Sequence, residues 1–149
     1  MDIIKEIKKR INNFIICMKY PFFWPRNVCT GKKCSGFFSF TELDHIPEGW
    51  YKAFGLQMAK EIQECLNKLP KYKRKQYRIT QIKEKYGSLV IYTYCTFWEL
   101  DQIIQKYTKI SEKTCVSCGK PAKWISLGYI LPYCDDCKIK EIKYKKLYL

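Results

Sequence analysis

The sequence predicts an α+β protein: a small antiparallel β-hairpin packed on two or three helices, with a cysteine-rich module at the C-terminal end. Three observations predict this class. Apolar residues recur at three- and four-residue steps over 47–69, as in an amphipathic helix. Two short runs rich in β-branched residues flank the hairpin dipeptide Tyr86-Gly87. Two Cys-x-x-Cys pairs follow near the end of the chain.

The first element is an amphipathic helix over residues 2–18. One side of it is apolar, and most of its lysines and its arginine lie opposite. We expect this stripe to pack on the core, whereas docking on a membrane or a partner is the alternative. The stripe consists of Ile3, Ile4, Ile7, Ile11, Phe14, Ile15 and Met18.

Residues 20–47 are predicted to be irregular. Pro21 and Pro25 prevent the helix from continuing, and Gly31 and Gly36 bracket a basic loop. The aromatic residues of this segment are expected to anchor it in the core, with base stacking as the alternative. Residues 28–40 are also candidates for additional strands.

The middle of the chain is predicted to form the main helix and the hairpin. The helix spans 47–69, because Pro47 suits a first turn and Pro70 ends the pattern. A basic turn over 70–76 leads into strands at 77–85 and 88–93. Thr96 and Glu99 form the pattern of a capping box, so a further helix is expected over 97–111.

The four cysteines of the paired motifs predict a metal site. Fifteen residues separate the Cys115/Cys118 pair from the Cys134/Cys137 pair, which is zinc-ribbon spacing. Tetrahedral thiolate ligands favour one structural Zn²⁺, and four protein ligands leave no position for substrate. Two disulfides, a redox motif and an iron–sulfur cluster are the alternatives.

The chain divides into two predicted parts. Its 149 residues, 47% of them apolar, suffice for one compact domain with a small appended module. We expect a helix–hairpin–helix core with the N-terminal helix over 1–112, and a zinc ribbon over 113–149 that ends in a short basic helix or tail.

The charge balance predicts a polyanionic partner. The chain has 28 Lys and Arg against 14 Asp and Glu, a net charge of +14. Such an excess favours nucleic acid, an acidic protein surface or a nucleoprotein complex. Codon bias in an AT-rich genome is the alternative explanation. The expected contact residues are Lys71, Lys73, Arg74, Lys75, Lys138, Lys140, Lys143, Lys145 and Lys146.

The cysteines and the N-terminus indicate a reducing compartment. No secretory signal or membrane-spanning run is evident, and an odd number of thiols, nine, accompanies the thiolate motif. We therefore expect a cytoplasmic protein. Cys65 and Cys95 are expected to be small core residues, and a second metal site at Cys29 and Cys34 is not expected because ligands are lacking.

No enzymatic activity is expected. His45 is the single histidine, and it precedes the main helix, where a capping role suits it. The chain has no glycine-rich phosphate loop. No small-molecule substrate is expected. The alternative is a metal-dependent nuclease that uses acidic residues near His45. Those acids are Glu42, Asp44, Glu48 and Glu84.

Three motifs carry a resemblance to a known family. They are TELDHIPEGWYKAFG (41–55), RITQIKEKYGSL (78–89) and TCVSCGKPA with PYCDDC (114–137). They resemble a functionally uncharacterised family of small phage- and prophage-encoded proteins, across about residues 20–137. This chain differs at Ser88 and Val90 and adds the N-terminal helix. The resemblance implies a role against the host, such as inhibition of a CRISPR effector in the host cytoplasm, with a small nucleic-acid-binding regulator as the alternative.

Overall fold

Helices and two small antiparallel sheets share one hydrophobic core in the computed structural model, which describes residues 3–27, 29–34, 36–140 and 142–147. This confirms the predicted α+β class. The helices are α1 (Ile3–Lys19), α2 (Glu48–Trp50), α3 (Leu56–Lys68), α4 (Lys71–Gln76) and α5 (Trp98–Ser111), with a π-helical segment over Tyr51–Gly55 between α2 and α3. The strands are β1 (Ile79–Lys85), β2 (Ser88–Thr93), β3 (Trp124–Ser126), β4 (Pro132–Tyr133) and β5 (Tyr144–Lys146).

The centre of the core lies where α3, α5 and the β1–β2 hairpin meet. Met58 and Ile62 of α3, Ile82 of β1, Leu89 of β2 and Leu100 of α5 are all fully or almost fully buried. Burying a side chain of this size contributes about 1.5–3 kcal/mol. The apolar periodicity of residues 47–69 therefore correctly identifies the core-facing side of the main helix.

The hairpin is confirmed, including its turn. Tyr86 and Gly87 both have positive φ angles, 52° and 81°, as a two-residue turn between right-twisted strands requires. The pairing register shifts between Ile79 and Gln81. This bulge places Ile79 and Ile82, which are three residues apart, on the same buried face.

The main helix differs from its prediction in one respect. It runs from Glu48 to Lys68, with Pro47 at the N-cap and Leu69 at the C-cap before Pro70. The stretch Tyr51–Gly55 is π-helical. Apolar periodicity does not distinguish this wider turn from a regular helix.

Two local predictions are wrong. The expected basic turn over 70–76 is the short helix α4, which continues from Pro70 at its N-cap. The expected capping box before α5 is not formed. Phe97 occupies the N-cap without a side-chain hydrogen bond, and the Thr96 hydroxyl donates to Asp101 instead. The capping motif in the sequence thus predicts where the helix begins, but it does not predict which side-chain hydrogen bonds form there.

The irregular segment before the main helix is confirmed, and its aromatic residues differ in how far they are buried. Phe22 and Phe23 are buried in the core, whereas Phe37 is 81% exposed. The expected additional strands are absent from the part of 28–40 that the structure describes, where an isolated bridge joins Arg26 to Lys33. Positions 28 and 35 of that range lie outside the described residues.

The prediction that the apolar stripe of α1 packs on the core is wrong. Asn13, Ile16 and Cys17 are the buried residues of this helix, and they lie on the opposite side from the stripe. Every residue of the expected stripe is instead exposed to solvent. The helix forms over the predicted residues, but the side that packs on the core is the one opposite the predicted apolar stripe.

The C-terminal segment is also different from its prediction. Tyr144–Lys146 forms strand β5, which pairs antiparallel with β3 and completes a three-stranded sheet of order β4-β3-β5. The backbone N–H of Leu127 donates to the carbonyl of Lys143, and that of Leu147 donates to the carbonyl of Lys123. The expected basic helix or tail thus contributes an edge strand to the ribbon.

Candidate metal centre and cationic cavity

The two Cys-x-x-Cys pairs converge on one point. The sulfur atoms of Cys115, Cys118, Cys134 and Cys137 all lie within 4.8 Å of one another, and the Cys118 and Cys134 sulfurs are 3.5 Å apart. Four sulfurs about 2.3 Å from a tetrahedral metal stand about 3.8 Å from each other. The donor set and its spacing therefore fit a metal ion, and the four cysteines can hold one.

The first cysteine pair rests directly on the main helix. The Gly49 N–H donates to the Val116 carbonyl at 2.8 Å, and the Trp50 indole N–H donates to the Thr114 carbonyl at 2.9 Å. A Cβ added at Gly49 would stand 2.2 Å from the carbonyl oxygen of Cys115. Only glycine allows this approach, so the metal centre and the start of the main helix are positioned together.

Gly119 completes this contact from the other side. Its φ of +83° turns the chain after Cys118, and a Cβ there would stand 2.7 Å from the Gly49 carbonyl oxygen. The Gly119 N–H donates to the Cys115 carbonyl at 3.0 Å. The two glycines thus face each other across the junction of ribbon and core.

The surroundings move the pKa values of Cys115 and Cys137 in opposite directions. Burial alone would raise the pKa of Cys115, but hydrogen bonds from the backbone N–H groups of Cys118 and Cys134 outweigh it and lower the pKa to about 7. Hydrogen bonds with the Cys118 and Cys134 sulfurs raise the pKa of Cys137 to about 12. A cation that binds all four sulfurs must therefore displace protons that the thiols share without it.

Polar contacts outside the sulfur atoms hold the second cysteine pair. Asp135 accepts hydrogen bonds from Lys123 Nζ at 2.6 Å and from the Trp124 indole at 2.7 Å. Lys120 Nζ donates to Asp136 at 2.7 Å. The two aspartates between Cys134 and Cys137 are thus bound by side chains of residues 120–124, and the group of possible metal ligands here consists of the four cysteines.

A second feature is a cavity of about 590 Å³ between the end of α1, α3 and α4. Its floor is apolar and includes Phe22 and Leu66. None of the described residues that line it is acidic. The cations that line it are Lys19, Arg26, Lys71, Arg74 and Lys75.

The structure brings together only part of the predicted basic surface. Lys71, Arg74 and Lys75 line the cavity, whereas Lys73 Nζ lies 5.6 Å from the centre of the Phe97 ring. Lys19 and Arg26 are not among the contact residues predicted from the sequence. Both are distant in sequence from the 71–75 run, and no local pattern distinguishes them from other surface cations.

The predicted basic residues of the C-terminal segment belong to the ribbon. Lys138 Nζ lies 3.7 Å from the Trp124 ring centre, and Lys145 and Lys146 are exposed on β5 opposite Ile125 and Trp124. Lys140 and Lys143 are also exposed. The predicted contact residues thus occupy two elements of the fold, α4 and the ribbon.

The acidic residues of the alternative nuclease site have structural contacts of their own. Asp44 accepts hydrogen bonds from the Thr41 N–H at 2.7 Å and from Asn13 at 3.3 Å. Glu84 accepts from the Gly87 N–H at 2.7 Å within the hairpin turn. Glu42 is buried and lies 3.4 Å from His45 Nδ1. Glu48 pairs with Lys52.

The remaining cysteines fall into two groups. Cys65 and Cys95 are partly buried and pack against the core, and Cys17 is buried. Cys29 and Cys34 are exposed, and within the described ranges only the quartet at the ribbon brings three or more possible metal ligands together. Among the described helices, none combines the length and apolarity needed to cross a bilayer.

Compared with known proteins, the chain matches no family model, no curated sequence and no solved structure. A function must therefore be inferred from the chain's own residues.

Proposed function

We propose that this protein is a non-enzymatic, zinc-stabilised nucleic-acid-binding protein of phage type. The single observation that carries the proposal is the cavity beside α4, where five cations from three separate segments converge over an apolar floor. Single-stranded nucleic acids are recognised by this combination, since cations follow the phosphates and apolar or aromatic surfaces accept the bases.

The positive charge of the cations that line the cavity is not offset by acidic side chains among the described residues that line it. The lysines 52, 60 and 106 each lie within 4.0 Å of a glutamate carboxylate, which offsets their charge locally. The described residues that line the cavity include no such carboxylate. A phosphate backbone entering the cavity would therefore meet uncompensated positive charge and release its own counterions.

Arg26 connects the cavity to a second cationic and aromatic surface. It also lines a smaller cavity of about 110 Å³ with Arg78 and Tyr94, and the Arg78 guanidinium lies 3.9 Å from the centre of the Tyr94 ring. The exposed Tyr94 ring offers a stacking surface for a base beside this pair. A strand that leaves the α4 cavity past Arg26 would meet it next.

The metal in this proposal is one structural Zn²⁺. Four thiolate donors at tetrahedral spacing favour zinc over harder cations such as Mg²⁺ and Ca²⁺. With four protein ligands the ion has no open position, so its role is to hold the ribbon against the main helix. Metal analysis of protein purified without added zinc tests this, with one zinc per chain expected.

The nucleic-acid proposal is tested by removing charge from α4. Binding of a fluorescent single-stranded DNA of mixed sequence is measured by anisotropy over a range of salt concentrations for the Lys71→Gln, Arg74→Gln, Lys75→Gln triple variant. Three lost phosphate contacts should flatten the slope of log affinity against log salt by about two units, because each contributes about 0.7 on a single strand. The loss should be similar for different sequences.

A matched variant removes the same charge elsewhere. The Lys52→Gln, Lys60→Gln, Lys106→Gln triple variant lowers the net charge equally, but its lysines are paired with glutamates. We expect its salt slope to equal that of the unmodified protein. Equal slope changes in both variants would mean that net charge alone, and no defined site, attracts the nucleic acid.

The proposed setting is the cytoplasm of a phage-infected host. The phage-type motifs support a partner that is a host nucleoprotein complex, such as a CRISPR effector, in which the cationic cavity would contact the bound nucleic acid. Capture from host lysate with and without nuclease treatment tests this extension. A complex that is lost on nuclease treatment and on the α4 substitutions fits it, whereas capture independent of both argues for a protein-only contact.

A further inference from the structure

Helix α1 presents its apolar side to solvent and its other side to the protein. Asn13, Ile16 and Cys17 are buried, and they lie opposite the exposed apolar residues on a helix of 3.6 residues per turn. A contiguous exposed apolar surface of this kind marks an interaction site. This surface, called the α1 stripe below, is formed by Ile3, Ile7, Ile11, Phe14, Ile15 and Met18.

Specific polar contacts fix this orientation. The Asn13 amide is almost completely buried and donates to the Phe38 carbonyl at 2.9 Å and to Asp44 at 3.3 Å. Rotation of α1 to bury the stripe would break both bonds and leave the Phe38 carbonyl and Asp44 without this donor. These bonds therefore favour the orientation in which the stripe faces outward.

Lys8 and Lys19 border one edge of the stripe, and Lys5 and Lys9 lie farther round the helix, toward the side opposite it. Lys5, Lys8, Lys9 and Lys19 are all exposed, and Arg10 is paired with Glu6 at 2.9 Å. Within the described residues of α1, Glu6 is the only acidic side chain. The helix therefore combines an apolar surface with positive charge that begins at one edge of that surface.

An exposed aromatic loop adjoins the C-terminal half of the stripe. Phe38 packs edge-to-face on Phe14 with ring centres 5.1 Å apart, and the residue before it, Phe37, is mostly exposed. Phe37 and Phe38 both have positive φ angles, 46° and 58°, which bulky residues seldom adopt. The apolar surface thus continues from the helix into this loop.

We propose that α1 docks this protein on an anionic membrane surface. An amphipathic helix with an apolar face and a basic polar side lies in the plane of the interface, with its apolar face at the headgroup boundary and its nearest lysines close to the lipid phosphates. A 17-residue helix is about 25 Å long, so the contact is peripheral. This inference is independent of the nucleic-acid proposal, because it rests on the α1 stripe and not on the cavity.

The α1 stripe could be covered by a membrane or by a second copy of the chain. The positive charge of the α1 lysines distinguishes the two. Two copies of α1 packed stripe to stripe would bring Lys8 and Lys19 of each copy to the edge of the contact without acidic partners, at a cost in repulsion. Anionic headgroups instead attract each lysine near the surface, which raises membrane affinity by about fivefold per residue. The lysines thus favour lipid.

The test uses the full chain and vesicles of equal parts phosphatidylcholine and phosphatidylserine in a flotation assay. The Ile7→Gln, Ile11→Gln double variant removes apolar surface from the centre of the stripe and keeps good helix formers. We expect its partitioning onto these vesicles to fall about tenfold or more, since two large apolar side chains no longer insert. The unmodified protein should bind pure phosphatidylcholine vesicles far more weakly.

A matched control changes two apolar residues of similar exposure on the ribbon side. Ile7 and Ile11 are 52% and 54% exposed, and Leu127 and Ile139 are 51% and 48% exposed. We expect the Leu127→Gln, Ile139→Gln variant to partition like the unmodified protein. The Lys71→Gln, Arg74→Gln, Lys75→Gln variant separates this contact from the cavity, and it should retain most vesicle binding while losing DNA affinity.

Three results would overturn the proposal. The first is no flotation of the unmodified protein with anionic vesicles. The second is equal flotation of the unmodified protein and the α1 double variant, which would mean that charge alone drives adsorption. The third is a dimer in light scattering that the double variant converts to a monomer, which would assign the α1 stripe to a second copy of the chain.

Discussion

The C-terminal ribbon and the N-terminal helix are both plainly marked in the sequence, yet they relate to the core in opposite ways. The ribbon is joined to the main helix through Gly49, Trp50 and Val116, and its buried residues belong to the common core. Helix α1 attaches through a few residues and leaves its apolar stripe exposed. A pattern in the sequence thus identifies an element more reliably than it identifies the surface that the element buries.

The largest effect is expected at the metal centre. Cys118→Ser removes one of the four sulfur ligands of the proposed Zn²⁺, and structural zinc in small modules contributes on the order of 10 kcal/mol to folding of the module. Because the ribbon supports Trp50, the loss should extend to the start of the main helix. Zinc content and the near-ultraviolet circular dichroism of the tryptophans should both fall.

Cys29→Ser is the matched control for this variant. Cys29 is exposed and lies outside the quartet. Its zinc content and unfolding curve should equal those of the unmodified protein. If Cys118→Ser keeps a full zinc ion and an unchanged unfolding curve, the four cysteines are not the metal ligands, and the ribbon is not held to the core by a metal.

The junction of ribbon and core is expected to give the next largest effect. Gly49→Ala places a Cβ 2.2 Å from a backbone oxygen of the cysteine loop, where no flexible side chain can move away. We expect the free energy of unfolding in denaturant to fall by about 3 kcal/mol or more, as in severe overpacking.

Gly55→Ala provides the contrast within the same helical region. Its added Cβ would meet neighbours no closer than 3.6 Å. Alanine there should leave stability unchanged or raise it by about 0.5–1 kcal/mol, because it lowers the entropy of the unfolded chain. Similar losses at both glycines would contradict a tight junction at Gly49.

Two neighbouring isoleucines of α1, Ile15 and Ile16, test the other side of the comparison. Ile16 is 4% exposed and Ile15 is 55% exposed. Ile16→Ala should cost about 2–4 kcal/mol of unfolding free energy, whereas Ile15→Ala should change it by about 0.5 kcal/mol or less. Chemical denaturation of both variants measures the difference. The reverse order would mean that the stripe packs on the core after all.

Several features could be predicted because their causes are local. Pro70 ends the main helix, since proline cannot continue the pattern of backbone bonds. Tyr86 and Gly87 form the hairpin turn through their own backbone angles. The cysteine spacing brings the four sulfurs together because each pair is a short loop. Neither the π-helical segment nor the missing capping box has a comparable local signal.

The sequence by itself determined α1, the main helix, α5, the β1–β2 hairpin and the two cysteine pairs, because each of these patterns depends on residues a few positions apart. Only the tertiary structure decided that α1 turns its apolar stripe outward, that Lys19 and Arg26 join the cations of α4, and that the last strand closes the ribbon sheet. Each of these depends on contacts between distant residues, such as Asn13 with Asp44. Helical periodicity is the same whether the apolar face meets protein, lipid or water, so it cannot carry that information.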